Sequence, residues 1–163
     1  MKILVFSDSH GNSMAIDRAI AAHNAKADLV IFLGDGLNDI ELMEEKYPQI
    51  TFFKVKGNCD FMRSDIMSES ILNLDGVKIL ICHGHKYNVK GALDTLIYAG
   101  MEKEVDAVLF GHTHVPYDSC QYINDKRIQL FNPGSIGMKG TYGVLNISGG
   151  VLVTGLAQIE RVW

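Results

Sequence analysis

The residues of this 163-residue chain whose types and spacing could do chemistry are histidines, aspartates and one asparagine placed just after apolar runs. Phe110-Gly111-His112-Thr113-His114 closes the run 107–110 and carries two imidazoles two positions apart. On an extended backbone, residues i and i+2 share a side, so this pair is expected to face one point. Four other runs end alike. The run 2–7 ends in Asp8-Ser9-His10, and 29–33 ends in Gly34-Asp35-Gly36. The run 52–56 ends in Gly57-Asn58-Cys59-Asp60, and 77–82 ends in His83-Gly84-His85. A single Asp after a strand is an ordinary cap or turn residue, and a single His is ordinary core or surface. Turn chemistry gives no reason for such endings to repeat, nor for five of the six histidines to fall in them. His23, the sixth, reads as structural or solvated.

The candidate ligands are therefore Asp8, His10, Asp35, Asn58, His83, His112 and His114. Imidazole, carboxylate and amide oxygen without thiolate suit Mn, Fe, Co, Ni or Zn better than a Cys-rich structural zinc site does. Seven ligands exceed the needs of one tetrahedral ion. Two ions sharing a carboxylate would use them all and leave open positions for water and substrate. Such a pair lowers the pKa of a shared water from ~15.7 toward ~7 and so supplies a hydroxide without a protein base. Two divalent ions, less two aspartates and a hydroxide, leave about one positive charge. That balance suits a monoanionic substrate better than a dianionic one. The motif loops carry no Arg, the usual bidentate phosphate clamp, and only Arg63 lies near one.

Each ending needs an element to deliver it. The runs 2–7, 28–33 and 51–56 are apolar and β-branched, as buried strands are. Asn12 or Ser13 is expected to cap a helix with apolar Met14, Ile16, Ala19, Ile20 and Ala22. Asn38 is expected to cap a second helix through Lys46, with Asp39 and Glu41 in its first turn and Pro48 stopping it. This βαβαβ pattern argues for parallel strands. Strands 70–74 and 77–82 then flank Asp75-Gly76, a hairpin signal. A helix over 90–104 and a strand over 106–110 follow, then hairpins pairing 118–123 with 127–131 and 142–147 with 151–159. The expected fold class is α/β, two packed mixed sheets flanked by helices in one domain over 1–163, with ligands gathered at the carboxyl ends of strands.

A hydrophobic fraction of 47% and a charged fraction of 21% describe an ordinary soluble globular protein. Net charge is −4 with no Lys or Arg run, so non-specific binding to nucleic acid or an anionic membrane is not expected. The run 2–7 is too short for a signal-peptide core, and no stretch approaches the ~18 apolar residues of a membrane span. Cys59, Cys82 and Cys120 are odd in number and form no CxxC, which points to free thiols in a reducing cytoplasm. Oligomeric state stays open.

The ordered set D-x-H, G-D, G-N, H and G-H-x-H resembles the calcineurin-like metallophosphoesterase superfamily. Cys82-His83-Gly84-His85 and Asn132-Pro133-Gly134-Ser135, with the short length, resemble its small prokaryotic YfcE-type phosphodiesterase subgroup. The match runs from Lys2 to about Ser135 of the chain. The resemblance implies one metal on Asp8, His10 and His114, another on Asn58, His83 and His112, and Asp35 bridging both. It implies an αββα sandwich and a dinuclear phosphodiesterase acting on a small phosphodiester, with Mn²⁺ favoured and Fe, Co, Ni, Zn or Mg as alternatives. The implied reaction is attack of hydroxide on phosphorus in line with the departing oxygen, and the single charge of a diester suits the site's charge balance better than a monoester dianion does. Asp35, Asn58, Asp60 and His85 are the catalytic candidates. Asp60 would orient a neighbouring ligand or substrate, unless it is only a cap, and His85 would reach substrate.

Two of the family's motifs are altered. Cys59 stands where G-N-H-[DE] has a histidine, and Asn38 and Asp39 alter G-D-x-x-D. A neutral thiol, with a pKa near ~8.5, is a poor stand-in for imidazolium, so protonation of the leaving group is the step in question. Alternatives are a phosphomonoesterase or nuclease of the same superfamily, or a scaffold resembling the retromer subunit of this fold, whose metal site is degraded. All seven ligand positions are kept here, which disfavours the scaffold. A dinucleotide-binding module is excluded, because no G-x-G-x-x-G follows the first strand.

Overall fold

The apolar runs become strands and the intervening amphipathic stretches become helices. The computed structural model describes residues 1–160. Its first half is β1 (Lys2–Phe6), α1 (Ser13–Ala22), β2 (Leu29–Phe32), α2 (Leu37–Lys46) and β3 (Thr51–Lys54). These three strands pair in parallel, with Val5 opposite Ile31 and Ile31 opposite Phe53. β4 (Glu69–Leu74) and β5 (Val77–Cys82) form the hairpin expected at Asp75-Gly76, both residues being left-handed with φ of 47° and 83°. Then come α3 (Asp94–Glu102), β6 (Ala107–Leu109), β7 (Tyr117–Ile123), β8 (Lys126–Asn132), α4 (Ile136–Lys139), β9 (Thr141–Ser148) and β10 (Val151–Gln158).

Two five-stranded mixed sheets result, in the orders β10-β9-β1-β2-β3 and β4-β5-β6-β8-β7. Strand alternation builds the layers. Ile3 and Val5 of β1 point between the sheets, against Ile31, Ile79, Leu109, Phe131 and Leu145. Leu4 and Phe6 point the other way, under Ile16 and Ile20 of α1 and Ile40 of α2. On the far side, Leu96 of α3 covers Leu80, Val108 and Leu130. The two-sheet α/β fold class is as expected. Among the described residues, no helix is long and apolar enough to cross a membrane.

Three local expectations are corrected. α2 starts at Leu37 with Gly36 as its N-cap and no capping side chain of its own, so Asn38 lies inside the helix. α3 is shorter than 90–104, because the chain first makes a 3₁₀ turn at His85–Tyr87 and then turns at left-handed Asn88. α4 was not expected. It forms because Ser135 Oγ accepts a hydrogen bond from Met138 N at 3.1 Å, and left-handed Gly140 ends it.

Candidate metal centre

The loops after β1, β2, β3, β5 and β6 carry the candidate ligands, and their backbone is unusual. Asp8, His10, Asp35, His112 and His114 all have positive φ, between 48° and 69°. His112 and His114 therefore do not meet by extended alternation. The chain doubles back between left-handed residues, each costing about 1–2 kcal/mol. Surrounding bonds hold this conformation. Asp8 N donates to Gly34 O (2.9 Å) and His10 N to Asp35 O (3.1 Å). Asn132 Nδ2 donates to Gly111 O (2.9 Å) and Thr113 Oγ1 (3.1 Å), and Ser135 Oγ donates to Asp8 O (2.8 Å). Strain held in this way is typical of a functional site.

The buried Asp8 carboxylate is divided between two tasks. Its Oδ2 accepts from Ser7 Oγ (2.5 Å) and His112 N (3.1 Å). Its Oδ1 makes no hydrogen bond, although His114 Nε2 lies at 3.1 Å and the Nε2 atoms of His10 and His83 each at 3.8 Å. His10 Nε2 and His114 Nε2 are only 3.2 Å apart. His83 is fully buried and donates Nδ1–H to Leu33 O (2.7 Å). That bond fixes the ring and leaves Nε2 facing Asp35 Oδ2 at 3.3 Å, without a hydrogen bond.

Protonation follows from this crowding. Burial alone would raise the Asp35 carboxyl, but His83 beside it and the Cys59 N–H outweigh burial and hold it well below the usual carboxylate range. Burial opposes charge on His83, yet Asp35 and Asp8 raise its pKa. His112, desolvated and beside His83, is depressed to about 4. His85 is lowered for the same two reasons.

The third and fourth loops are tied to this centre. Cys59 N donates to Asp35 Oδ1 (2.7 Å), and Asn58 Nδ2 lies 3.4 Å from Cys59 Sγ. Burial, then Asp35, push the Cys59 thiol up to about 11. Asp60 turns both oxygens to backbone. Oδ2 accepts from Asp35 N (2.7 Å) and Gly57 N (2.9 Å), and Oδ1 from Gly36 N and Leu37 N (both 3.1 Å). Asp60 thus caps α2 from another loop and fixes the loop bearing Asp35. Gly57 permits the approach, since a Cβ there would lie 2.0 Å from Asp35 Oδ1. His85 packs 5.4 Å from His83 and 6.1 Å from His112 between ring centroids, its buried Nδ1 unpartnered.

Several positioning roles escaped the sequence reading. Ser7, Asn132 and Ser135 hold the Asp8 and His112 loops, as described above. Asp39 Oδ2 accepts from Ser9 Oγ (2.6 Å) and Gly11 N (2.8 Å), bracing the loop of His10. Asp39 carried a sequence signal, one residue beyond the family spacing, and Asn132 and Ser135 stood in the Asn132-Pro133-Gly134-Ser135 motif of the resemblance, whereas Ser7 carried none.

The donor set fits divalent cations. Two clusters of ligand atoms each lie within 4.8 Å of one another: Asp8, His10 and His114, and Asp35, His83 and His112. A third comprises His10, Asp35 and Cys59. Two buried carboxylates, with Asp8 Oδ1 and His83 Nε2 unsatisfied between them, are costly unless a cation collects them.

Two mixed sheets with this strand-end cluster of carboxylates and imidazoles define a metallophosphoesterase-like fold. Residues 1–150 match the calcineurin-like phosphoesterase superfamily domain, and the chain belongs to that family. It is 34% identical over 137 residues to the probable metallophosphoesterase YsnB of Bacillus subtilis (strain 168), covering 83% of this chain and 75% of that one. A Streptococcus pneumoniae TIGR4 structure described as a predicted phosphoesterase superposes with a TM-score of 0.77 at 28% identity, covering 96% of this chain and 88% of the other. An archaeal phosphodiesterase superposes with a TM-score of 0.70 at 23% identity, over 96% of this chain and 100% of the other, which speaks to fold alone.

Proposed function

We propose that this chain is a phosphodiesterase that works with two divalent cations, Mn²⁺ favoured. The observation that carries the reading is the pair of buried, unsatisfied atoms, Asp8 Oδ1 and His83 Nε2, turned toward each other's surroundings at 3.8 Å. In this reading Asp8, His10 and His114 would hold one cation and Asn58, His83 and His112 the other, with Asp35 serving both. When bound, the cations supply an activated water and charge stabilisation for the phosphoryl oxygens.

The chain's own residues then divide the work. The Leu33 carbonyl keeps His83 in the tautomer that presents Nε2. Asp60 is a positioning residue, because four backbone N–H groups occupy its oxygens. His85 is the candidate contact for a phosphoryl oxygen through its unpartnered Nδ1.

A diester is favoured because Arg63, the arginine nearest the motif loops, is already engaged and is not free to clamp a second phosphate charge. The Arg63 guanidinium is bound to Glu41 (2.8 and 3.0 Å) and Asp65 (2.7 and 2.9 Å). The Cys59 thiol, pushed up to about 11, stays neutral where a histidine would bring charge. The three cysteines are free, which supports a reducing, cytoplasmic setting. The test is kcat/KM of Mn²⁺-loaded protein on matched aryl mono- and diesters. The diester should be favoured, and a clear monoester preference would sink the reading.

A further inference from the structure

Beside the candidate centre lies a pocket of about 350 Å³, lined by Gly11, Leu37, Asp39, Cys59, Phe61 and Met62 together with Asp60 and Arg63. Its size is within the range of small-ligand sites. Phe61 and Met62 are 79% and 83% exposed, an aromatic ring and a thioether left in water with nothing packed on them. Two adjacent large apolar side chains that exposed, at the rim of a concave site, are the informative kind of exposure.

The charged groups of the pocket are largely engaged by the protein itself. Arg63 is engaged by Glu41 and Asp65. Both Asp60 oxygens are taken by backbone N–H groups, and Asp39 Oδ2 by Ser9 Oγ and Gly11 N. A phosphate or carboxylate placed here would meet two aspartates and no free cation. An uncharged, flat or apolar group would meet Phe61, Met62 and the Cys59 sulfur.

The pocket adjoins the centre at Cys59, which lines the pocket and whose N–H is bonded to Asp35 Oδ1. We infer that this pocket receives one uncharged aryl or similarly apolar ester arm of the substrate, with Phe61 and Met62 as its specificity-determining residues. The inference rests on the phosphodiesterase reading and names the substrate class more closely. Phosphorus lies at Asp35, one ester arm enters between α2 and the 59–63 loop, and the other points away to solvent. Dialkyl diesters with small arms leave the pocket unfilled.

Two readouts test this on the full chain. The first is the ratio of kcat/KM for phenyl p-nitrophenyl phosphate to that for methyl p-nitrophenyl phosphate, with Mn²⁺ loaded. The ratio should favour the phenyl ester by about tenfold and fall toward unity in Phe61→Ala, since contacts of this size are worth about 10–200-fold in discrimination. Phe61 is so exposed that its truncation has little effect on folding. Asn38→Trp, at an exposed position of the first turn of α2 that also lines the pocket, should lower the ratio by filling it. The second readout is the ¹³C-methyl signal of Met62 in protein loaded with diamagnetic Zn²⁺ and titrated with diphenyl phosphate, with dimethyl phosphate as control.

Movement of Met62 with the phenyl compound alone supports the pocket whether or not any diester is hydrolysed. A silent Met62 overturns the inference, as does a phenyl-to-methyl ratio unchanged in both variants, and either result leaves the phosphodiesterase reading standing. Failure to hydrolyse every diester refutes that reading instead, and the Met62 signal still decides the pocket.

Discussion

Asp60→Asn isolates the link between backbone clamping and the candidate centre. The carboxylate accepts four backbone N–H groups, two on each oxygen, from Asp35, Gly36, Leu37 and Gly57. An amide in either orientation keeps one acceptor oxygen and sets an NH₂ against the other two donors. Two charge-assisted bonds are lost and two donor pairs are opposed, a cost of about 2–4 kcal/mol. Removing the negative charge from the start of α2 adds about 0.3–1 kcal/mol. In a chain of this size each kcal/mol lowers Tm by about 2–4 °C, so the variant should melt at least about 4 °C lower. The Asp35 loop loses its tether at the same time, and Mn²⁺ affinity should fall about 10–100-fold, as when outer partners of a ligand are removed. The assay is calorimetric Mn²⁺ titration beside thermal melting. Leu72→Ala serves as control, since Leu72 is buried opposite Ile79, four residues before His83, and should cost about 2–5 kcal/mol without touching the centre. Equal Mn²⁺ affinity in the two variants would refute the claim that Asp60 positions a ligand.

Gly57→Ala places a Cβ 2.0 Å from Asp35 Oδ1 and 2.6 Å from Asp35 N, so Mn²⁺ affinity should drop at least about tenfold, read by the same titration. Unchanged affinity would mean that the two loops do not press on each other. His23 accepts from Lys2 Nζ (2.8 Å) at Nδ1 and therefore donates Nε2–H to the Tyr142 hydroxyl (3.1 Å). Burial first, and the Lys2 ammonium second, lower its pKa. The unfolded chain then binds the extra proton more readily, so this contribution to stability is present above the ordinary value near ~6.5 and is lost as pH falls below it. In urea midpoints from pH 8 to pH 5, the wild type should lose more stability than His23→Gln. Parallel profiles would contradict this account of His23.

Five strand ends carrying Asp, His and Asn were legible because strand runs and ligand-type residues both lie in local sequence. So was the hairpin at Asp75-Gly76, whose turn needs the positive φ those residues accept. The order of strands was not. β9 pairs antiparallel with β1, Leu4 opposite Val144, a partnership set by packing across the whole chain. The backbone at His112 and His114 was misread because apolar runs announce strands but say nothing of where the chain doubles back. The helix cap was misread for a related reason. Asn38 has the right chemistry for a cap, but the donors at the start of α2 are met by Asp60, more than twenty residues away in sequence. Asn132 and Ser135 act through bonds to loops distant in sequence, Ser7 through the carboxylate of its neighbour Asp8, and a serine in a turn looks the same whether or not it does so.

The most direct measurement of the central claim is the hydrolysis of bis(p-nitrophenyl) phosphate with bound metal counted in the same samples. Metal-stripped protein should be inactive, gain activity as it takes up two Mn²⁺ per chain, and lose both the second ion and the activity in Asp35→Asn. Full hydrolysis by Asp35→Asn, or folded wild-type protein that binds two Mn²⁺ and leaves the diester intact, would contradict it.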